Sequence, residues 1–348
     1  MPARRTNAID GTLRPMSSQN AVAAGTFFAL AAGLLWGLVF VGPLLLPDYP
    51  PALQSFGRYI AYGVIALPLA WIDRNRLREL SRAEWIEAAR LGLAGNIVYY
   101  LFLASAIQRA GAPVPTMIIG TLPVVIALVS NRRDAGRDGR LPWSRLLPSL
   151  VLIGAGIGSV NRVEIELLRA DPAGSIERYL LGAALALGAV VSWAWFALRN
   201  ADWLRAHAGR SARAWASAQG LATLPLALLG YLGWLAWAAR GSSDPSTQAF
   251  AIPFGPRPAL YLALMAGMGL LASWLGNSLW NAASQRLPTA LVAQLIVFET
   301  LAALGYAFIV RGQWPAPATL LGIALLVGGV VWALRARPTP LAAEAHPS

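Results

Sequence analysis

The chain has 348 residues, 57% of them hydrophobic and 13% charged, with a mean hydropathy of +0.54; soluble domains carry about 25% charged residues, so a soluble globular protein is excluded and a multi-pass membrane protein is indicated. The net charge of +12 does not point to nucleic acid, because the basic residues, all of them Arg, sit in short segments between apolar stretches, as orientation signals do. There is no Cys, hence no disulfide and no thiolate metal site.

Hydropathy and chain breakers predict ten membrane-spanning helices, at 22–46, 53–72, 86–107, 112–130, 146–160, 179–198, 213–238, 259–283, 288–310 and 316–335. The polar arm before Ala21 leads into a run long enough to span, which reads as an uncleaved first helix rather than a signal peptide. That first span carries Trp36 in mid-helix, either a cavity gate or a packing residue, and Gly33 and Gly37 at the spacing of a close helix contact. Arg58 lies early in span 2; it can snorkel to the outer interface, pair with Glu299, or hold a substrate carboxylate. Span 3 places Asn96, Tyr99, Tyr100 and Leu103 on one helical face. In span 4, Thr116, Gly120 and Pro123 share a face, and Pro123 frees a backbone carbonyl that can line a site or kink the helix.

Span 5 is either short or extended toward Arg162; its Gly154 and Gly158 again have the spacing of a close contact. Span 6 carries Trp193 in mid-helix. Span 8 places Ser273, Asn277, Trp280 and Ser284 on one face, with Asn281 flanking it. Amide, hydroxyl and flat aromatic groups on spans 3 and 8 suit a cavity for a small amphipathic solute; hydrogen bonds between packed helices are the alternative use of the same residues.

Span 9 contains the chain's most informative residue. Glu299 stands in the middle of the 23-residue apolar stretch Pro288–Val310. A carboxylate at that depth is costly and normally faces a bundle interior or wet cavity on an ion or substrate path. It can serve as a proton carrier, as a fixed partner of Arg58, or as the ligand of a cationic substrate group. Gln294 is about 140° round the helix from it and belongs to a different face, whereas Tyr306 shares its face.

Arg placement orients the spans. With both termini cytoplasmic, the inside segments hold about twenty Arg and the outside loops about seven, the bias that the positive-inside rule requires. Trp71, Trp143, Trp203, Trp237 and Trp314, near span ends, fit an interfacial belt. The two halves also resemble each other. Trp36 precedes Trp193 by 157 positions, Pro68 precedes Pro225 by the same 157, and Gln108-Arg109 precedes Gln285-Arg286 by 177. Spans 5 and 10 share Gly-rich interiors. Each half has five spans, so equivalent helices cross in opposite directions, an inverted repeat of the kind found in secondary transporters.

The segments Gly33-Leu34-Leu35-Trp36-Gly37, Phe56-Gly57-Arg58-Tyr59 and Gly322 with Gly328-Gly329 resemble the drug/metabolite transporter superfamily, EamA type, over about residues 22–335. Met117–Pro123 and Ile296–Thr300 resemble a subgroup of bacterial inner-membrane proteins within it. The resemblance implies ten helices, a central cavity and export of small organic molecules. One departure is Gly312-Gln313, where many members carry Gly-Glu.

Rival classes lack their signatures. There is no membrane His, no H-E-x-x-H and no paired membrane carboxylate for an intramembrane enzyme, no phosphate-binding loop for ATP, and no filter or charge ring for a channel. The expectation is an all-α integral membrane protein of ten transmembrane helices, built as two inverted five-helix repeats at 22–160 and 179–335, with polar cytoplasmic tails at 1–21 and 336–348. It is a monomer or homodimer in the bacterial inner membrane, in contact with lipid. It exports a small organic solute by alternating access, with substrate contacts at Trp36, Asn96, Tyr99, Tyr100, Thr116, Trp193, Asn277, Trp280 and Asn281, and coupling at Glu299 and Arg58. No cofactor, metal or nucleic acid is expected. The alternatives are a facilitative metabolite exchanger and a lipid-handling or assembly protein.

Overall fold

The structure, a computed structural model, describes residues 18–133, 143–170, 175–240, 250–287, 292, 295–312 and 314–335. Among these every regular element is helical, as expected of backbone in lipid, where N–H and C=O groups must be satisfied within the segment. The elements are α1 Ser18–Gly37, α2 Val41–Leu45, α3 Pro51–Ile72, α4 Arg74–Arg78, α5 Arg82–Leu91, α6 Tyr99–Ala110, α7 Pro113–Ile119, α8 Leu122–Arg133, α9 Trp143–Ala170, α10 Ile176–Ala206, α11 Ala212–Ala239, α12 Pro258–Met268, α13 Gly276–Ser284, α14 Val297–Arg311 and α15 Pro317–Arg335. Six continuous helical stretches, 20–45, 51–72, 82–110, 176–206, 212–239 and 258–284, are long and apolar enough to cross a membrane, and three shorter apolar ones lie at 113–126, 147–163 and 317–329.

Local chemistry sets the boundaries. Pro stands at the start of α3, α7 and α12, where its missing N–H costs nothing. Ser81 and Glu84 form a reciprocal capping box on α5, and Ser175 and Ser211 cap α10 and α11 through their hydroxyls, each satisfying an otherwise orphaned donor. Two helices widen into π-helical segments of seven residues each. Gly92–Val98 joins α5 to α6, and Gly269–Leu275 joins α12 to α13. Such segments shift side chains off the regular helical face and occur frequently at functional sites.

Among the described residues six of the helical stretches are long enough to cross and three are shorter, and their limits differ from those expected. The fifth lies within α9, a helix of 28 residues that runs past Arg162, while its apolar stretch, 147–163, is short. The sixth continues past its expected end to Ala206. The fourth is broken between α7 and α8 at Gly120 and Thr121. Within the ninth, α14 starts at Val297 after a turn at Ile296, so Glu299 sits in a first helical turn rather than mid-helix. Gln294, Gln313, Pro288, His346 and the chain before residue 18 and beyond 335 lie outside the described residues.

Helix α3 packs along α11, α9 along α15, α6 along α10, and α1 lies between α13 and α14. Two of these contacts are made backbone to backbone. A Cβ on Gly37 would come within 2.8 Å of the Ala302 Cβ and 2.9 Å of the Ala303 N, and one on Gly33 within 3.1 Å of the Glu299 N, so the α1 glycines hold α14 close beside the Glu299 backbone. Gly156 and Gly322 face each other across α9 and α15, where an added Cβ would meet the opposite carbonyl at 2.6 and 2.7 Å. The expected contact at Gly154 and Gly158 is not made: a Cβ at either meets nothing within 4 Å. The contact runs through the glycine between them. Gly37→Val is therefore expected to destabilise the purified protein by about 1–3 kcal/mol, read as a fall in its melting temperature in detergent. Gly154→Ala should stay within about 0.5 kcal/mol of the parent. Equal losses at both positions would refute the close-contact assignment.

One end of the bundle, which carries the Arg-rich segments 73–90 and 199–213, is cross-linked by ion pairs. Arg213 binds Asp73 through two bonds of 2.8 Å, Arg199 binds Glu87 at 2.8 Å, Arg133 binds Asp202 at 3.0 Å, and Arg210 binds Glu79 at 2.5 Å. Trp203 lies within this end rather than at an interface. It is buried, stacked on Trp215 at 3.4 Å and on His207 at 4.4 Å. Trp71, Trp237 and Trp314 are exposed, as a belt requires. The opposite end is closed differently. The Gln54 and Gln108 side-chain amides both donate to the Leu46 and Tyr49 carbonyls, and Tyr49 stacks on Tyr261 at 5.0 Å.

Candidate functional site

Midway between these ends is a small cavity of about 20 Å³, lined by Trp36, Val39, Arg58, Tyr59, Gly95, Asn96, Tyr99, Trp193, Phe196, Asn277 and Glu299. In this closed form the space suits roughly one water molecule. Each wall comes from a different part of the chain: α1 gives Trp36, α3 gives Arg58 and Tyr59, the first π segment with α6 gives Gly95, Asn96 and Tyr99, α10 gives Trp193 and Phe196, α13 gives Asn277, and α14 gives Glu299.

The aromatic side of the site is built around Trp36. Its indole N–H donates to the Ala272 carbonyl at 2.9 Å, a carbonyl inside the second π segment. Its ring meets Trp193 edge-on at 5.5 Å and Trp280 at 5.0 Å, and Trp193 meets Trp280 at 5.9 Å. Edge-on and tilted rings at these distances are attractive beyond simple burial, so the three indoles hold one another in place. Gly95 lets Phe196 approach, since a Cβ there would come within 2.3 Å of its ring.

The polar side is charged. Arg58 is 4% exposed and Glu299 3%. The Arg58 Nε donates to the Ser273 hydroxyl at 2.9 Å, and its guanidinium lies 4.9 Å from the Tyr59 ring centroid and 4.6 Å from that of Tyr100, a cation–π arrangement on two rings. Tyr100 is fixed in turn by its hydroxyl, which donates to the Val39 carbonyl at 3.2 Å. The Arg58 Nη1 and the Glu299 Oε2 are buried and have no hydrogen-bond partner. Among the described residues no ion pair within 4.0 Å joins these two groups. Burying a charge is costly unless it is paired or solvated, so two oppositely charged side chains lining one buried cavity mark it as a polar site.

The structure brings together Trp36, Asn96, Tyr99, Trp193, Asn277, Arg58 and Glu299 at this cavity, with Tyr100 and Trp280 directly behind its wall. It places two other expected residues elsewhere. The Thr116 hydroxyl donates to the Ala112 carbonyl at 2.7 Å, within its own helix. Asn281 accepts from the Asn200 amide at 2.9 Å, in a separate buried cluster where the Asn200 Oδ1 also accepts from Trp215 and Gln219. Arg58 does not snorkel: it is buried and turned inward. Tyr306 points to the Leu34 carbonyl at 3.2 Å and takes no part in the lining. Tyr59, Gly95, Phe196 and Val39 are lining residues that the sequence reading did not select. For Phe196 a signal was present, since it falls one turn after Trp193 on the same face. Gly95 and Val39 carry no polar group to mark them.

Three comparisons bear on this architecture. Residues 23–131 match the model of the EamA-like transporter family. The chain is 52% identical over 315 residues to the inner membrane protein YtfF of Escherichia coli (strain K12), covering 90% of this chain and 96% of that protein. A solved crystal structure, described simply as that of a protein, shares the fold with a TM-score of 0.60 at 20% identity, over 90% of this chain and 99% of that one.

Proposed function

The chain belongs to the EamA-like transporter family of the drug/metabolite transporter superfamily, a multi-pass inner-membrane protein that moves small solutes, and on that premise we propose that it exports a small amphipathic organic molecule by alternating access around the Trp36–Glu299 cavity. The observation that carries this reading is the pair of buried, oppositely charged side chains Arg58 and Glu299 lining one aromatic-walled cavity between the two ends of the bundle. A protein that only packs helices has no use for them.

The proposed mechanism rests on two inverted five-helix repeats in a ten-helix bundle. Several matches support it. The π segments begin at Gly92 and Gly269, separated by the same 177 positions as Gln108 and Gln285. The interior prolines Pro68 and Pro225 are separated by the same 157 as Trp36 and Trp193. The packing is reciprocal: α1 lies on α13 as α10 lies on α6. The breaks at Gly120 and at Ile296 also fall at equivalent places, and discontinuous helices beside a midplane site recur in such carriers. Rocking of one repeat against the other would open the ion-paired end and the Tyr49–Tyr261 end in turn. Glu299 would bind a proton facing one side and release it facing the other, driving solute outward.

Transport is tested directly by flux of labelled metabolites into sealed vesicles containing the purified protein; the absence of any carrier-dependent flux across a broad panel, with intact folded protein, would favour a lipid-handling role. Orientation is tested separately. A reporter fused after Ser348 should report cytoplasm and one inserted between 241 and 249 should report the outside, as the Arg distribution requires. A periplasmic C-terminus would remove both the ten-span count and the inverted repeat.

A further inference from the structure

We infer that His207 and Glu84 form a proton-operated latch between the two halves of the bundle: a protonated imidazole holds the Arg-rich end closed, and loss of that proton lets the end part. The inference rests on the alternating-access reading and adds how one side of it is regulated. His207 follows α10, in the second half of the chain, and Glu84 lies in the first turn of α5, in the first half. The His207 Nε2 stands 3.4 Å from the Glu84 Oε1. The chain's other histidine, His346, lies outside the described residues. Histidine is the side chain whose charge ordinarily changes between about pH 5 and 8, so the contact joins the halves through a group that can switch.

Both sides of the contact are held in place. The His207 Nδ1 lies 2.9 Å from the Trp203 carbonyl, an oxygen that can only accept, so Nδ1 carries the hydrogen. The ring also stacks on Trp203 at 4.4 Å, and Trp203 stacks on Trp215. Glu84 is set by its capping box: its Oε2 accepts from the Ser81 N–H at 2.7 Å, which leaves Oε1 toward the imidazole. With Nδ1–H fixed, a neutral ring turns the Nε2 lone pair toward a carboxylate oxygen. A protonated ring offers an N–H and a positive charge instead, the elements of a charge-assisted hydrogen bond. One geometry is thus mismatched in one protonation state and matched in the other. The charged groups around the ring are Asp73, Glu79, Glu87 and Arg133 from the first half, and Arg199, Asp202, Arg205, Arg210 and Arg213 from the second. Arg213 binds Asp73, Arg199 binds Glu87, and Arg133 and Arg205 bind Asp202. Arg210 binds Glu79 and reaches the Glu84 Oε1 only at 3.9 Å. Carboxylates and guanidinium groups ordinarily keep their charge between about pH 6 and 8, so these pairs form a constant background. His207 lines an open groove of about 470 Å³ together with Glu84, Glu87, Arg199 and Asp202, wide enough for water to bring protons to the ring. Lowering the pH on this side, cytoplasmic in the proposed orientation, therefore favours the closed end.

The chain has no Cys, so one introduced thiol reports on this end alone. Ala88 is fully buried on α5, one turn from Glu84 on the same face, and α5 packs on α11 of the other half. In purified full-length Ala88→Cys protein, the rate of labelling by a bulky polar thiol reagent measures how often the end opens. The rate is compared at pH 6.0 and 8.0 with that of the same protein carrying His207→Gln, so the pH dependence of the thiol itself cancels in the ratio. With His207 present, labelling should be roughly three- to fivefold slower than in His207→Gln at pH 6.0, the scale of one partly exposed charged pair, and no slower at pH 8.0. Glu84→Gln should abolish the difference at pH 6.0 while keeping the start of α5 intact, because Gln also completes a capping box. His207→Lys, charged at both pH values, should slow labelling at pH 8.0 as well. The inference is overturned if the ratio is the same at both pH values, or if Glu84→Gln leaves the slowing at pH 6.0 intact. A thiol that reacts in none of these proteins also overturns it, since an end that never opens has no latch. Labelling needs no solute, so it is read apart from transport. Carrier-dependent flux in vesicles with a pH-independent ratio would refute the latch and leave transport standing. A pH-dependent ratio with no flux would refute transport and leave the latch standing.

Discussion

Glu299→Gln is expected to abolish solute accumulation driven by a pH difference across the vesicle membrane, reducing it to the level seen without a gradient, while exchange of labelled for unlabelled solute persists in part. Gln keeps the shape of the side chain and can still hydrogen-bond, but it cannot take up or release a proton. A difference of one pH unit is worth about 1.4 kcal/mol per proton, enough for roughly tenfold accumulation at one proton per solute, so the loss is large against any residual leak. The closed geometry makes the result interpretable. Glu299 is buried and makes no ion pair with Arg58 within 4.0 Å among the described residues, so its neutral isostere breaks no salt bridge and should leave the fold intact. Accumulation that survives in the variant would show that coupling lies elsewhere or that the carrier is facilitative.

What could be read from the sequence and what could not follow from the range of the interactions involved. Glu299 stood out because one carboxylate in a long apolar run is anomalous whatever the fold. Trp36 and Trp193 stood out because they are repeat-matched, and the structure places their rings 5.5 Å apart. Asn96, Tyr99 and Asn277 were found by helical periodicity, which survives even though Asn96 lies within a π segment. Arg58 was legible only as an ambiguity. Snorkelling and inward burial are both open to an Arg near a span end, and the choice depends on Ser273 and Tyr100, which are distant in the chain.

The misplaced residues have a common cause. Thr116 and Asn281 are polar and lie in apolar helices, but each finds its partners locally or in another cluster. A polar residue in a helix signals a hydrogen bond without saying with what. Nearness to a span end assigns Trp203 to the interfacial belt, whereas α10 continues past the expected boundary and stacks it on Trp215. The glycine pattern in α9 misled in the same way. The spacing of Gly154 and Gly158 was right for a contact, but helix rotation, set by α15, turned Gly156 to the interface. The π segments had no sequence signature beyond the glycines Gly92 and Gly269 at their starts.

The second large effect is expected at the cavity amides and aromatics, where binding and folding should separate. Asn277 lines the cavity from α13 at 7% exposure, and Asn96 faces it while donating to the Thr223 hydroxyl at 3.4 Å, a long contact. Asn277→Ala and Asn96→Ala should weaken binding of a stabilising solute by roughly tenfold or more, because polar groups placed to orient a ligand set its specificity. The same changes should cost the empty protein about 1–2 kcal/mol, the usual scale for losing one side-chain hydrogen bond, that of Asn96 to Thr223 or that between Asn277 and Tyr62. Trp280→Ala should behave differently. Its ring packs on Trp36 and Trp193 behind the lining, so its removal leaves a cavity costing about 3–5 kcal/mol, and binding falls because the Trp36 wall is no longer held. Tyr99→Ala should lie between the two, since Tyr99 both lines the cavity and is part of the core. Melting temperatures with and without solute, measured beside Leu229→Ala, a change at a residue 70% exposed on the outside of α11, separate these cases. If Asn277→Ala lowers the melting temperature of the empty protein as much as Trp280→Ala does while solute stabilises it undiminished, Asn277 is a packing residue and the solute contacts lie on another wall.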